Sequence, residues 1–328
     1  MLDVFQPTVA SWFRARIGEP TDVQQRAWPQ IARGRHVLVT APTGSGKTLT
    51  AFLWSINQLL SGAWEADRVR VLYVSPLRAL NNDVQRNLLD PLGELQQAMI
   101  EQGENPGSVR VLTRSGDTPS SERQKMVRNP PEILITTPET LNILLTSKGG
   151  RSILGDLACV IVDEIHAVAA SKRGTHLITA VERLTRLSGE FQRIGLSATV
   201  RPADRIARFF GGYRIEAAPE GGEPVYRRRE VVVIRSDQSK RYDIQVESIL
   251  PRPDAEGRKT ATSVVAETQV DSLRPQAGPR PVNLWEPLVA DLRKRIRANR
   301  STLLFANSRR LTETVTRLLN EGEASDLA

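Results

Sequence analysis

The sequence predicts an α/β fold, a doubly wound parallel sheet covered by helices on both faces. Two observations predict it. Apolar runs of four to six residues alternate with segments of helical periodicity from residue 37 to residue 210. Those runs, such as Val37-Leu38-Val39-Thr40, Val69 to Val74 and Cys159-Val160-Ile161-Val162, are near-continuously apolar rather than alternating. That is the pattern of strands buried on both faces, as in parallel sheets.

The first residues form helices. Val9, Trp12, Phe13 and Ile17 share one helical face, and Gly18 ends it. Pro20-Thr21-Asp22-Val23-Gln24-Gln25 opens a second helix with Thr21 as its N-cap. Val37-Leu38-Val39-Thr40 is the first strand. It runs into Ala41-Pro42-Thr43-Gly44-Ser45-Gly46-Lys47-Thr48 and then a helix carried by Leu49, Phe52, Leu53, Ile56, Leu59 and Leu60. Strand, glycine-bearing turn and helix are the context of a phosphate-binding loop. Gly44 and Gly46 let successive N–H groups face phosphate oxygens, and the helix N-terminus adds its field. Lys47 would reach the β- and γ-phosphates and Thr48 would ligate Mg²⁺.

Val69 to Ser75 is the next strand, ending in Pro76-Leu77-Arg78-Ala79-Leu80; a helix follows over residues 83–100. Val109 to Leu112 is a strand leading into Thr113-Arg114-Ser115-Gly116-Asp117-Thr118, with a helix over 121–127. Ile133 to Ile135 leads into Thr136-Thr137-Pro138-Glu139 and a helix over 140–145. The strand at 158–162 ends in Asp163-Glu164-Ile165-His166, and a helix spans 176–187. Gln192 to Leu196 ends in Ser197-Ala198-Thr199, and a helix over 204–210 stops at Gly211-Gly212. The first domain is read as residues 1–215. Residues 216–283 are read as a strand-containing linker or flexible insertion, with strands at 231–234 and 242–246 and a Pro/Ser/Thr-rich stretch from 251 to 281. Residues 284–328 are read as the start of a second α/β domain, with a helix at 288–296, a buried strand at 302–306 and a helix at 311–319.

Composition excludes several classes. Among 328 residues the net charge is +8 and the pI about 10.0, which favours a polyanionic partner. The single Cys159 forms no intramolecular disulfide and reads as a buried core thiol. The three histidines, His36, His166 and His176, have no partners at metal-ligand spacing. No apolar run reaches the length of a membrane span and no secretory signal is visible, so a cytoplasmic location is expected.

Asp163 at the end of an apolar strand, opposite a phosphate loop, suits Mg²⁺ held through water. Glu164 suits orientation or deprotonation of an attacking water. A small-molecule kinase would need both. It would not need Ser-Pro-Leu-Arg, Thr-Arg-Ser-Gly-Asp, Thr-Thr-Pro-Glu and Ser-Ala-Thr after successive strands. As an ordered set these residues resemble the superfamily 2 helicases, and most closely the large helicase-related family of DNA helicases. Pro20-Thr21 with Gln24 is similar to the Q motif, and Ala41 to Thr48 to motif I, whose AxTGxGKT form accounts for alanine at the first position. Ser75 to Leu80 resembles motif Ia and Thr136 to Glu139 motif Ib. Asp163-Glu164-Ile165-His166 resembles motif II and Ser197-Ala198-Thr199 motif III. Trp285-Glu286-Pro287 and residues 302–310 resemble the entry to a second RecA-like domain with its motif IV.

The resemblance implies a RecA-like domain binding ATP and Mg²⁺. Gln24 would read the adenine edge, and Thr43, Gly44, Ser45, Gly46, Lys47 and Thr48 would hold the phosphates. Thr48 and Asp163 would serve the metal, with Glu164, Lys47 and Asp163 catalytic. Ser75, Arg78, Arg114 and Thr137 would touch nucleic-acid phosphates, which fix a strand without reading it. His166 would couple motif II to Ser197 or Thr199. The partner implied is nucleic acid, with DNA favoured, as a single strand or duplex junction. Motifs V and VI, which bring arginines to the γ-phosphate in this family, are absent from these 328 residues. The expectation is therefore a truncated motor, weak alone and completed by a missing C-terminal half, or an ATP- and nucleic-acid-binding fragment that does not turn over.

Overall fold

A computed structural model describes residues 2–76, 84–216, 223–236, 244, 246 and 285–321. The chain divides into two compact units, Met1–Lys240 and Arg241–Ala328.

The first unit is built on a seven-stranded sheet. Its strands are β1 (His36–Thr40), β2 (Val71–Val74), β3 (Val111–Arg114), β4 (Ile133–Thr136), β5 (Cys159–Val162), β6 (Gln192–Ser197) and β9 (Val231–Arg235), in the order β3-β4-β2-β5-β6-β1-β9. Every pairing is parallel. Two further strands, β7 (Tyr213–Glu216) and β8 (Val225–Arg228), form an antiparallel hairpin outside it. Alternation along the strands fills two apolar layers. Val37, Val39, Tyr73, Ile135 and Ile161 face one layer; Leu38, Leu72, Val74, Leu134 and Val160 face the other.

The first layer is covered by α1 (Pro7–Arg16), α2 (Asp22–Ala32), α3 (Lys47–Leu60) and α4 (Asp90–Glu101). Phe13 and Phe5 meet the Trp28 ring edge-on there, at centroid distances of 5.3 and 4.9 Å. The second layer is covered by α5 (Ser120–Arg128), α6 (Pro138–Thr146), α7 (Lys148–Ile153), α8 (Lys172–Ser188) and α9 (Ala203–Gly211). The doubly wound parallel sheet thus stands as the sequence predicts. Three helices differ from expectation. The one expected over 83–100 is a π-helical turn at Gln85–Leu89 and becomes α4 only at Asp90. The short α7 has Ser147 as N-cap and only Ile153 and Gly150 buried, too little periodicity to read. The helix expected from residue 176 starts at Lys172, because the Ser171 side chain caps it by accepting from the Gly174 N–H.

The strand expected at 231–234, within the span read as a strand-containing linker, forms as β9 and pairs with β1 in register, Val37 with Val232 and Val39 with Ile234. The seven-stranded sheet ends on that strand. The reason is non-local: β1 would otherwise be an edge strand, and Val231 to Ile234 supply the apolar partner that covers it.

The second unit contains α10 (Trp285–Ala298) and α11 (Arg309–Asn320). The Arg293 side chain donates to the Leu318 and Leu319 carbonyls at 3.0 Å, pinning the end of α11. The buried strand expected over 302–306 is not formed. This segment has no ladder partner among the described residues, and Leu303 and Phe305 are 82% and 92% exposed. A strand needs a neighbour for its backbone groups, and two helices provide none. Of the strand expected at 242–246 only Ile244 and Val246 are described, and both are outside any strand and 81% and 95% exposed. The stretch from 251 to 281 lies outside the described residues. No helix among the described residues is long and apolar enough to cross a membrane.

Candidate nucleotide site and nucleic-acid edge

Parallel pairing puts the C-terminal ends of β1 to β6 on one edge. Thr40 pairs with Ser197, Val74 with Val162 and with Thr136, and Arg114 with Thr136. The loops that leave these strands therefore emerge side by side, where ligands bind in open α/β sheets. Strand order divides the edge. β1, β6 and β5 bring the Gly-bearing loop, Ser197 and Asp163 together. β2, β4 and β3 bring Ser75, Thr137 and Arg114 to the other half.

The loop after β1 is wound for anions. Gly44 and Gly46 both have φ near +80°, a left-handed conformation that glycine adopts without steric cost. Gly46 is also the residue at which α3 begins, so Lys47 is its first residue. The Lys47 Nζ is buried and donates to the Ala41 carbonyl at 2.7 Å and the Pro42 carbonyl at 2.8 Å. The ammonium is thus folded back on its own loop. Two neutral carbonyls are weaker acceptors than phosphate oxygens, so an anion in the loop would draw it away. Ser45 Oγ is buried with no hydrogen-bond partner. A hydroxyl in that state is costly unless something else binds there, and a phosphate oxygen would satisfy it. The residues present therefore fit a nucleoside triphosphate. Thr48 is half-buried at the helix start, while Thr43 and Gly44 are exposed.

Gln24 is placed against this loop. Its Oε1 accepts the Thr21 N–H at 2.9 Å, and its Nε2 donates to the Gly46 carbonyl at 3.5 Å. The Thr21 hydroxyl donates to the Ser45 carbonyl at 2.9 Å. The capping end of α2 is therefore sewn to the phosphate loop, and the carboxamide, 1% exposed, faces the loop in this structure.

Asp163 and Glu164 follow β5. Asp163 is buried. Its Oδ2 accepts the Tyr73 hydroxyl at 2.5 Å and its Oδ1 accepts the Glu164 N–H at 2.7 Å. Burial raises the carboxyl above its ordinary value, against the pull of those two donors and of Lys47. A divalent cation would reverse that preference, and a carboxylate facing a phosphate loop suits Mg²⁺ through water. Glu164 sits at φ 47°, left-handed for a non-glycine residue and so strained. Its Oε2 lies 3.2 Å from the His166 Nδ1. The same Nδ1 accepts the Ala198 N–H at 3.1 Å and lies 3.4 Å from Ser197 Oγ. One nitrogen thus faces two partners with opposite needs: Ala198 requires a lone pair, Glu164 a proton. Thr199 is exposed and takes no part in this contact.

The other half of the edge is more varied. Ser75 is buried, its N–H donating to the Thr136 carbonyl at 3.1 Å. Thr137 is the N-cap of α6, its Oγ1 accepting the Thr140 N–H at 3.3 Å. Arg114, 6% exposed, has Nε and Nη1 without protein partners. Burial and the charge of Arg123 lower its pKa. It lines a cleft of about 290 Å³ with Ser115, Thr137 and Arg173. Arg78 lies outside the described residues.

Tyr73 was missed by sequence reasoning, because a tyrosine within Val71–Val74 reads as strand core. Arg227, Arg228 and Arg229, a basic run in the sequence, are largely engaged. Arg227 pairs with Glu216 at 2.6 Å, Arg228 lies over the Tyr213 ring, and Arg229 is buried in bidentate contact with Glu190.

The DEAD/DEAH box helicase family model matches residues 21–206. The "Lhr helicase/uracil glycosylase" of Escherichia coli is 40% identical over 333 residues, covering 99% of this chain and 20% of that protein. The "ATP-dependent helicase Lhr-Core" of Methanothermobacter thermautotrophicus is 41% identical, covering 95% of this chain and 33% of its own length. The chain therefore spans between a fifth and a third of these relatives. Among solved structures, the Mycobacterium smegmatis helicase Lhr bound to ssDNA and AMP-PNP aligns with a TM-score of 0.73 at 38% identity, covering 98% of this chain and 36% of that one.

Proposed function

Since the chain belongs to the DEAD/DEAH box helicase family and resembles the Lhr helicases within it, we propose that it carries the ATP–Mg²⁺-gripping motor portion of a DNA helicase. The observation that supports this is that two loops suited to the two halves of a nucleotide site leave the same sheet edge. A left-handed glycine loop with an unpartnered Ser45 hydroxyl lies two strands from Asp163 and Glu164.

In this reading Lys47 leaves the Ala41 and Pro42 carbonyls for the β- and γ-phosphates. Ser45 Oγ and the N–H groups of residues 44–48 complete the cradle, and Gln24 holds the adenine side. Bound Mg²⁺, near Thr48 and Asp163, would screen phosphate charge and stabilise the leaving oxygens. Glu164 orients a water and accepts its proton. His166, sharing Nδ1 between Glu164 and the 197–199 loop, relays the state of that carboxylate toward the strand-gripping half of the edge. Ser75, Arg78, Arg114 and Thr137 hold phosphates of a single strand. DNA is favoured because the M. smegmatis relative was solved with ssDNA.

These residues contain no Gln-x-x-Gly-Arg-x-x-Arg stretch. An arginine that reaches the γ-phosphate contributes about 10³–10⁵ in rate. Turnover by this stretch alone is therefore weak, and the completing cations come from another polypeptide segment. Nucleotide binding tests the reading. Lys47→Ala should abolish binding of a fluorescent ATP analogue, and Glu164→Gln should keep binding while removing residual hydrolysis. Wild-type-like binding by Lys47→Ala would overturn the loop assignment. DNA-stimulated hydrolysis at ordinary helicase rates from these 328 residues would overturn the need for a further segment.

A further inference from the structure

We propose that Tyr73 is a positioning residue for the metal, aiming the Asp163 carboxylate and tying its orientation to the helix that follows the phosphate loop. The inference rests on the reading of Asp163 as the Mg²⁺ carboxylate.

The Tyr73 hydroxyl is 2.5 Å from Asp163 Oδ2, and the Glu164 N–H is 2.7 Å from Oδ1. One donor on each oxygen fixes the plane of the carboxylate and leaves each oxygen a further lone pair. A carboxylate held by one donor alone keeps its freedom to rotate about χ2. The tyrosine is itself enclosed by packing. It is buried on β2, whose register sets Tyr73 opposite Ile161, two residues before Asp163. Its ring packs on Phe52 at a centroid distance of 4.9 Å and 32°. Phe52 is buried on α3, the helix that begins at Lys47. The chain of contact therefore runs from the phosphate loop through α3 and Phe52 to the Tyr73 ring, and through its hydroxyl to Asp163. A phenylalanine at position 73 would fill the same space and keep the Phe52 contact. What the phenylalanine would lose is the hydroxyl's hydrogen bond to Asp163.

Partners of this kind, one step out from the metal, typically govern metal affinity by about 10–100-fold. The test uses the whole 328-residue chain and a fluorescent ATP analogue, titrated with MgCl₂ and separately measured in EDTA. For Tyr73→Phe the half-saturating Mg²⁺ should rise about tenfold, while binding in EDTA stays at the wild-type level. An equal loss in both conditions would mean that the hydroxyl only supports the core, and would overturn the proposal. So would a half-saturating Mg²⁺ within about twofold of wild type, provided that Asp163→Asn raises it. If Asp163→Asn also leaves the Mg²⁺ dependence unmoved, the assignment of Asp163 fails, and the role of Tyr73 falls with it.

Discussion

Arg193 and Glu182 meet beneath the sheet, with Nη1 2.8 Å from Oε1 and the arginine side chain fully buried. Glu182 serves a second cation as well, for Arg229 Nη1 lies 3.0 Å from the same oxygen. Arg229 is itself held bidentately by Glu190 at 2.8 Å. Two buried guanidiniums and two carboxylates thus form one cluster at the opposite end of the strands from the phosphate loop. Removing one acid leaves buried charge uncompensated, which costs far more than the pair contributes. Glu182→Ala leaves the Arg193 guanidinium the Phe210 and Gly211 carbonyls and the face of Phe191, with no carboxylate in ion-pair contact among the described residues. It should cost about 3 kcal/mol in urea denaturation followed by tryptophan fluorescence. A loss below about 1 kcal/mol, the range of exposed pairs, would show that the cluster is solvated in solution.

His36 borders that cluster and gives it a pH signature. Its Nδ1 accepts the Arg193 N–H at 3.1 Å, and burial, reinforced by Arg193 and Arg229, lowers its pKa from 6.5 to about 4. The folded state therefore resists a proton that the unfolded chain accepts near pH 6.5. Stability attributable to His36 is complete above pH 6.5 and is lost progressively as pH falls from 6.5 toward 4. The urea midpoint should decline between pH 7 and pH 5, and His36→Gln should flatten that part of the profile. An unchanged slope in the variant would assign the decline to other groups.

Much of this was legible in the sequence because it is local. Gly44, Gly46 and Lys47 sit within one loop, and strand and helix flank it at their own periods. Asp163 could be placed because it ends an apolar run. What escaped is what depends on distant partners. Val231 to Ile234 read as a linker strand, since nothing local says that β1 lacks a neighbour on that side. Residues 302–306 read as a buried strand from composition, yet composition cannot supply a ladder partner. Tyr73 and Phe52 lie 21 positions apart in apolar runs, and only the fold turns one hydroxyl toward Asp163. Arg114 and Thr137 were grouped as phosphate contacts by sequence. The structure separates a buried, unpaired cation from a helix cap.

Gly46 tests how tightly α2 is sewn to the phosphate loop. A Cβ there would lie 2.6 Å from Gln24 Nε2, and the backbone is left-handed. Gly46→Ala should therefore lower stability by about 1–2 kcal/mol from the backbone alone, and further by displacing a buried carboxamide. Adding Gln24→Ala removes the clash, so the double variant should cost less than the sum of the two single ones. Additive losses would mean that Gln24 does not press on the loop.

Arg114 should show opposite effects on folding and on binding. Its Nε and Nη1 are buried without partners, so the free protein bears the cost of an unsatisfied cation. A methionine fills similar space without charge. Arg114→Met should therefore leave the fold as stable or more stable, by about 1 kcal/mol. If the guanidinium waits for a phosphate, the same substitution should weaken binding of a short oligo-dT. It should also reduce the slope of log affinity against log salt by about one contact. Melting temperature and fluorescence anisotropy on one preparation give both quantities. Loss of stability together with unchanged oligonucleotide affinity would make Arg114 a structural residue of the edge strand. Gain of stability with loss of affinity and salt slope would identify the cleft beside Thr137 as a phosphate seat.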